Sequence, residues 1–352
     1  MKGVINLSVF KEKFIDDKDI HIFVLKNSNG MKAKITNYGG IITSLYVPDK
    51  EGRLDDVVLG YDKLCSYYKN RCFYGGIIGR HANRIENSTF ELNGQIYNLV
   101  NNEKINHIHG GSVGFDGVVW DWEIVNKNSA EGIKLTYKSY DGEENYPGNL
   151  DVEVTYWIGN DNSLNIEYYA VSDKDTVVNL TNHTYFNLSG HGLGDILDHQ
   201  VMINADSFTP TDEFSLPTGE IRKVFETPMD FTKIKSVRED INSNYTQIIY
   251  GKGFDHNWVL NTKSILEKAA EVFDPASKRR MEVYTTKPGI QFYSGNNILR
   301  GDAGKDGAKY IPRSGLCLET QYFPNSLKHK HFPSPILKAG EEYKHTTIYK
   351  FV

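Results

Sequence analysis

Three short segments of this sequence hold acids, bases and amides close enough to act together. In Leu180-Thr-Asn-His-Thr-Tyr-Phe-Asn-Leu188, His183 stands among Asn182, Asn187 and aromatic rings, more polar groups than a plain core strand needs. In Gly315-Leu-Cys-Leu-Glu-Thr-Gln321, alternation puts Leu316, Leu318 and Thr320 on one side and Cys317, Glu319 and Gln321 on the other. A carboxyl group in such company loses solvent, which raises its pKa toward the working range of a general base. Gly253-Phe-Asp-His-Asn-Trp258 sets Asp255 and His256 between aromatics. Plainer readings stand beside these: a His satisfied by polar neighbours in a sheet, and a Glu at a strand's solvent edge.

Other motifs carry less. Gly79-Arg-His-Ala-Asn-Arg-Ile85 offers Arg80 and Arg84 near Gly75-Gly76, suited to phosphate, carboxylate or sugar hydroxyls, or simply to structural salt bridges. His107 and His109 stand at i and i+2, on one side of an extended segment, which is a spacing open to a metal. The carboxylate that such a site needs soon afterwards is missing, because Gly110-Gly-Ser-Val-Gly114 follows and the next acid is Asp116. That same run matches G-x-S-x-G, but a nucleophile elbow requires a helix next, and Phe115-Asp-Gly-Val-Val-Trp120 is no helix start. There is no phosphate loop and no H-E-x-x-H, and Gly190-His-Gly-Leu-Gly194 is not G-x-G-x-x-G. What remains is acids, bases, amide and guanidinium forks and aromatic rings, without cofactor machinery. Planar forks grip vicinal hydroxyls and rings cover apolar C–H faces, so the set suits a polyhydroxylated ligand such as a sugar.

The elements that must position these residues are strands. The chain has 22 Tyr and 17 Phe, residue types that fit a pleated, half-buried surface. Leu150, Val152, Val154 and Tyr156 alternate with Asp151, Glu153 and Thr155, and 133–137 and 164–168 repeat the pattern. Asn29-Gly30 and Asn93-Gly94 sit between such runs and predict hairpins with type I′ turns, while 159–163 links two more. Residues 264–273 have the best helix propensity, yet the turn Asp274-Pro-Ala-Ser277 and the alternating 281–285 favour a strand there. A short helix is expected within 232–241. Many short strands with no linker, repeat or strand–helix alternation predict a single all-β domain over 1–352, a large antiparallel β-sandwich with few short helices.

Composition narrows the partners. A formal charge of −5 over 352 residues gives no general attraction to nucleic acid, and the densest basic run, Leu327-Lys-His-Lys-His331, is too short to be a binding surface. No apolar stretch approaches the roughly 18 residues of a membrane span. Residues 1–14 have no apolar core of signal-peptide length. The 3 Cys are odd in number and form no C-x-x-C pair, which fits a reducing cytoplasm.

In seven ordered blocks the chain resembles the aldose 1-epimerases, also called galactose mutarotases. These are 37–45, 79–85, 108–111 with 114–116, 182–188, 254–257, 288–295 and 317–321. The resemblance implies a large antiparallel β-sandwich with the sugar in an open cleft on a concave face. It implies interconversion of the α- and β-anomers of D-galactose, D-glucose and similar free hexoses, with no metal or other cofactor. Carried over block by block, it implies Glu319 as general base and His183 as general acid, with His109 assisting at the ring oxygen. Asn83, Arg84, His109, Tyr185, Asp255 and Gln291 are the implied sugar ligands. His107 matches no family ligand. The implied partner is a small-molecule free hexose, with no nucleic acid or membrane, in a monomer or homodimer. Two alternatives stay open: an epimerase of hexose 6-phosphates, using Arg80, Arg84 or lysines for the phosphate, and a sugar-binding module without catalysis.

Overall fold

Alternation decides most of the chain. The computed structural model describes residues 8–15, 18–68, 72–127, 130–262, 265–298 and 302–352. Residues 1–7, part of the N-terminal stretch read above, and Ser264 lie outside the described residues. Within Leu150–Ile158, Leu150, Val152, Val154, Tyr156 and Ile158 are all buried, whereas Asp151 is exposed. This strand belongs to a nine-stranded antiparallel sheet. Its order is Asp121–Lys127, Ala130–Ser139, Leu150–Ile158, Ser163–Ser172, Glu342–Phe351, Arg280–Thr285, Glu267–Phe273, Gln200–Ile203 and Lys235–Ser236.

A six-stranded sheet has the order Tyr185–Phe186, Leu316–Gln321, Gly289–Tyr293, Asp255–Val259, Ser207–Thr209 and Arg222–Lys223. A five-stranded sheet runs from Ser8–Ile15 to Leu54–Asp56. The main core joins Val154, Ile166, Val283 and Tyr349 of the nine-stranded sheet to Trp258, Ile290, Phe292, Leu316 and Leu318 of the six-stranded one. Each such side chain, fully buried, contributes about 1.5–3 kcal/mol. Two bonds tie the sheets together: Tyr349 Oη donates to Leu318 O at 3.1 Å, and the Thr320 and Thr347 hydroxyls meet at 2.6 Å.

The expected all-β sandwich is therefore present, and the two α-helices among the described residues, Leu64–Tyr67 and Thr246–Gly251, are short. Both expected hairpins form. Asn93 and Gly94 have φ of 54° and 76°, as a type I′ turn requires. At Asn29-Gly30 only Gly30 has a positive φ, because the connection is a wider loop closed by Asn27 N donating to Met31 O at 3.1 Å. Residues Glu267–Phe273 form the favoured strand, paired with Arg280–Thr285. The helix expected within 232–241 is not there. The segment holds a strand, Lys235–Ser236, and one 3-10 turn, Val237–Glu239, closed by a Ser236/Glu239 capping box.

Candidate active site

The chemistry-bearing residues meet on the face of the six-stranded sheet turned away from the core. Three strands in register set Asn257, Gln291 and Glu319 side by side in one row. Two residues along, Asp255, Tyr293 and Cys317 form a second row, continued by Tyr185. Pleating sends both rows to the same face, and sends the intervening His256, Phe292 and Leu318 toward the core.

His183 reaches this face from the connection between Thr181–Asn182 and Tyr185–Phe186. Its N–H donates to Gly76 O and its carbonyl accepts from Gly75 N, each at 3.0 Å. The ring stacks on Tyr185 at 5.0 Å and also lies near-parallel to Phe73 at 5.9 Å. His109 arrives through the pairing of Arg84–Ile85 with His107–Ile108. Asn83 N donates to His109 Nδ1 at 3.1 Å, and His109 N donates to Asn83 O at 3.3 Å. The next residue has to be glycine: Gly110 has a φ of +91°, and a Cβ there would lie 1.8 Å from Gly79 O.

These pieces enclose a cavity of about 220 Å³. Of the expected site residues, Asn83, Arg84, His109, His183, Tyr185, Asp255 and Glu319 line it. Gln291 is not on the wall; it stands behind it and donates Nε2–H to Asp255 Oδ1 at 2.7 Å. His183 Nε2 lies 3.6 Å from Glu319 Oε1, with both side chains buried. Glu319 Oε2 is buried and has no hydrogen-bond partner. Arg84 is held in a two-point grip, Nε and Nη2 donating to the two Glu103 oxygens at 2.7 Å each.

Burial dominates the electrostatics. It raises the Glu319 carboxyl well above its ordinary value, with the Asp255 charge adding and Arg84 opposing. It lowers His183 to about 4. His109 is held well below its usual value by burial and by neighbouring His183 and Arg84. Burial raises Asp255 against the pull of Arg84 and of the Gln291 amide. For Arg84, burial acts to lower the pKa, but the Glu103 pair outweighs it and holds it above the ordinary value.

Two consequences follow. A His183 that resists a second proton and a Glu319 that resists losing its own titrate as a pair that shares one proton. One proton on two adjacent groups is one acid and one base. A ring nitrogen of His109, one of His183 and a Glu319 oxygen also lie within 4.8 Å of one another, close enough for a cation. However, a backbone N–H only donates, so Asn83 fixes His109 Nδ1 as acceptor and puts the ring proton on Nε2. That nitrogen is a hydrogen-bond donor with no lone pair to give a metal, so the trio suits proton transfer better.

Several sequence readings separate here. Arg80 does not line the cavity: its buried guanidinium donates to Pro147 O, Gly148 O, Ser139 and Tyr140 O at 2.5–3.3 Å. His107 does not pair with His109, whose φ of +53° breaks the extended run. Its ring nitrogens instead meet Val100 O at 2.7 Å and Tyr146 Oη at 2.6 Å. Ser112 sits in an exposed loop followed by the 3-10 turn Phe115–Gly117. Glu103, Phe73 and Tyr293 line the cavity without having been singled out. Tyr293 was within reach, since it alternates onto the face of Gln291. Nothing in the sequence around Glu103 marks it.

The family profile described as Aldose 1-epimerase matches residues 21–350. A galactose mutarotase of Bos taurus is 43% identical over 324 residues, 92% of each chain. An aldose 1-epimerase of Escherichia coli K12 is 35% identical over 340 residues, 96% of each chain. Among solved structures, a galactose 1-epimerase from Lactobacillus acidophilus superposes with a TM-score of 0.88 at 31% identity, covering 99% of both chains.

Proposed function

The chain belongs to the aldose 1-epimerase family and interconverts the anomers of hexoses, and we propose that Glu319 and His183 are the base and acid that do so. The observation that carries this assignment is the buried pair itself, His183 Nε2 3.6 Å from Glu319 Oε1 on a cavity wall. The substrates are free hexoses, D-galactose and D-glucose foremost.

The C1 hydroxyl donates to Glu319 Oε2, the oxygen without a protein partner, and that bond favours the ionised carboxylate. The pair's single proton then sits on His183. Glu319 takes the proton from O1 as His183 gives its proton to O5, and the C1–O5 bond breaks. Rotation about C1–C2 presents the other face of the aldehyde. Reclosure returns one proton to O1 and the other to His183, so the chain ends as it began. His109 donates its Nε2–H toward the ring oxygen. Arg84 and Asp255 hold hydroxyls remote from C1, so that only the reacting end turns. Asn83 and Tyr185 complete the contacts, and Gln291 acts through Asp255. Arg84 already carries Glu103 as its counter-ion and Arg80 is engaged elsewhere, which argues against a phosphorylated hexose.

The protein is proposed to work in the cytoplasm, on its odd, unmotifed complement of cysteines, as a monomer or homodimer. Among the described residues no helix is long and apolar enough to cross a membrane. Polarimetry of freshly dissolved α-D-galactose and α-D-glucose, with wild type, Glu319→Gln and His183→Asn, tests the assignment. Near wild-type kcat in either variant removes that residue from its role.

A further inference from the structure

We infer that Cys317 is a positioning residue for His183: its sulfur accepts from the ring nitrogen opposite the reacting one and keeps a proton there, so that Nε2 is the nitrogen that gains and loses the transferred proton. The inference rests on His183 as the proton donor.

Cys317 Sγ lies 3.5 Å from His183 Nδ1. Among the described residues no other side chain is bonded to that nitrogen; the ring also bonds its own backbone, which supports its protonated form. Cys317 is fully buried and stands two residues from Glu319 on the same strand and the same face. One strand therefore supplies both partners of the imidazole, Glu319 at Nε2 and Cys317 at Nδ1. The two histidines of the site, with ring centroids 5.3 Å apart, are held in different ways. His109 Nδ1 faces a backbone N–H, which can only donate, so that ring is fixed as a neutral donor. An acid that releases a proton from Nε2 and recovers it there needs the opposite arrangement, with a proton kept on Nδ1.

A thiol is a weak donor and a weak acceptor. Here sulfur accepts from Nδ1–H, in the neutral ring and more strongly in the charged one. Burial, with Glu319 and Asp255 near, raises the Cys317 thiol well above its usual value and keeps it protonated. The other titratable or charged groups facing His183 are Glu319, His109, Tyr185 and Tyr293, with Cys72, Arg84, Glu103 and Asp255 in the same cavity wall. Of these, only Cys317 reaches Nδ1.

The test compares Cys317→Ala and Cys317→Val, which bracket the thiol in size without its polarity, with Cys317→Ser, which restores a donor and acceptor. Mutarotation of α-D-galactose is followed by polarimetry across pH. Ala and Val should each lower kcat by about 3–10-fold, the worth of one neutral hydrogen bond, with KM unchanged. Ser should recover most of the loss. The acid limb of the Ala and Val profiles should move to lower pH, because a charged ring loses more than a neutral one when Nδ1 has no partner. Two-bond ¹H–¹⁵N spectra of the His183 ring should give one Nδ1–H tautomer for wild type and Ser, and a mixture for Ala. Wild-type kcat, pH profile and tautomer signal in Ala would overturn the inference, as would a Ser variant no better than Val. His183→Asn separates the two levels. If it abolishes turnover while Cys317→Ala changes nothing, only Cys317 is misassigned; if it keeps near wild-type kcat, the acid assignment falls first.

Discussion

Replacing Glu319 by Gln should remove two things at once. The amide keeps the carboxylate's shape but cannot accept the O1 proton, a loss of about 10²-fold or more for a general base. It also removes the charge that supports a protonated His183, whose Nε2 is 3.6 Å away. At an effective dielectric constant of 20, unit charges near this separation attract by about 4 kcal/mol. Burial already opposes the His183 charge, so only part of that attraction is realised in the wild type. We therefore expect kcat to fall by about 10³-fold, or about 4 kcal/mol in activation free energy, with sugar still bound. His183→Asn should fall comparably. The double variant should lose far less than the sum, because both transfers serve one ring opening. Stability supplies the control. The folded state holds the Glu319 proton above pH values at which the unfolded chain has released it. That linkage stabilises at low pH and is lost as pH rises through the folded pKa, so at neutral pH the carboxyl is a burden. Glu319→Gln should thus melt no lower than wild type at pH 7. Polarimetry of fresh α-D-galactose, with a thermal melt of the same sample, measures both. A well-folded Glu319→Gln with near wild-type kcat would refute the assignment and move attention to Asp255.

Arg84→Ala should raise KM and lower kcat/KM by about 1.5–3 kcal/mol, the worth of a charge-assisted hydrogen bond, with unchanged kcat/KM for every hexose tested counting against it. The wild-type kcat/KM profile should be a plateau: it falls in acid as His183 takes a second proton at about pH 4 and falls in alkali as the raised Glu319 proton leaves the pair. A single limb centred near neutral pH would contradict that order. Dialysis against EDTA should leave the rate unchanged, whereas a loss restored by a divalent ion would reinstate the His109, His183 and Glu319 trio as a metal site.

What the sequence made legible was periodic. Alternation placed Cys317, Glu319 and Gln321 on one face and Leu316 and Leu318 on the other, and Asn93-Gly94 announced its turn because its φ values are a local property. What it hid depends on distant chain segments. Arg80 and Arg84 look equivalent in one motif, yet residues 139–148 enclose the first while Glu103 grips the second at the cavity. His107 and His109 looked like neighbours on one side until a positive φ at His109 parted them. The missing helix within 232–241 is a case of good capping chemistry, Ser236 with Glu239, spent on a single turn.

The two-row pattern on the six-stranded sheet bears on how this catalyst can change over time. Each site residue in those rows has core residues as its chain neighbours, facing the opposite way, so a substitution on the sugar side need not disturb the packing behind it. Point changes at Asp255 or Tyr293, which line the cavity, are therefore open routes to a different hexose. Insertions and deletions are not. One residue added within Leu316–Gln321 would exchange Glu319 for Leu318 on the sugar side and bury the carboxyl in the apolar core. The lineage is free to edit letters in these strands but not their spacing, and length variation should collect in the loops that join them.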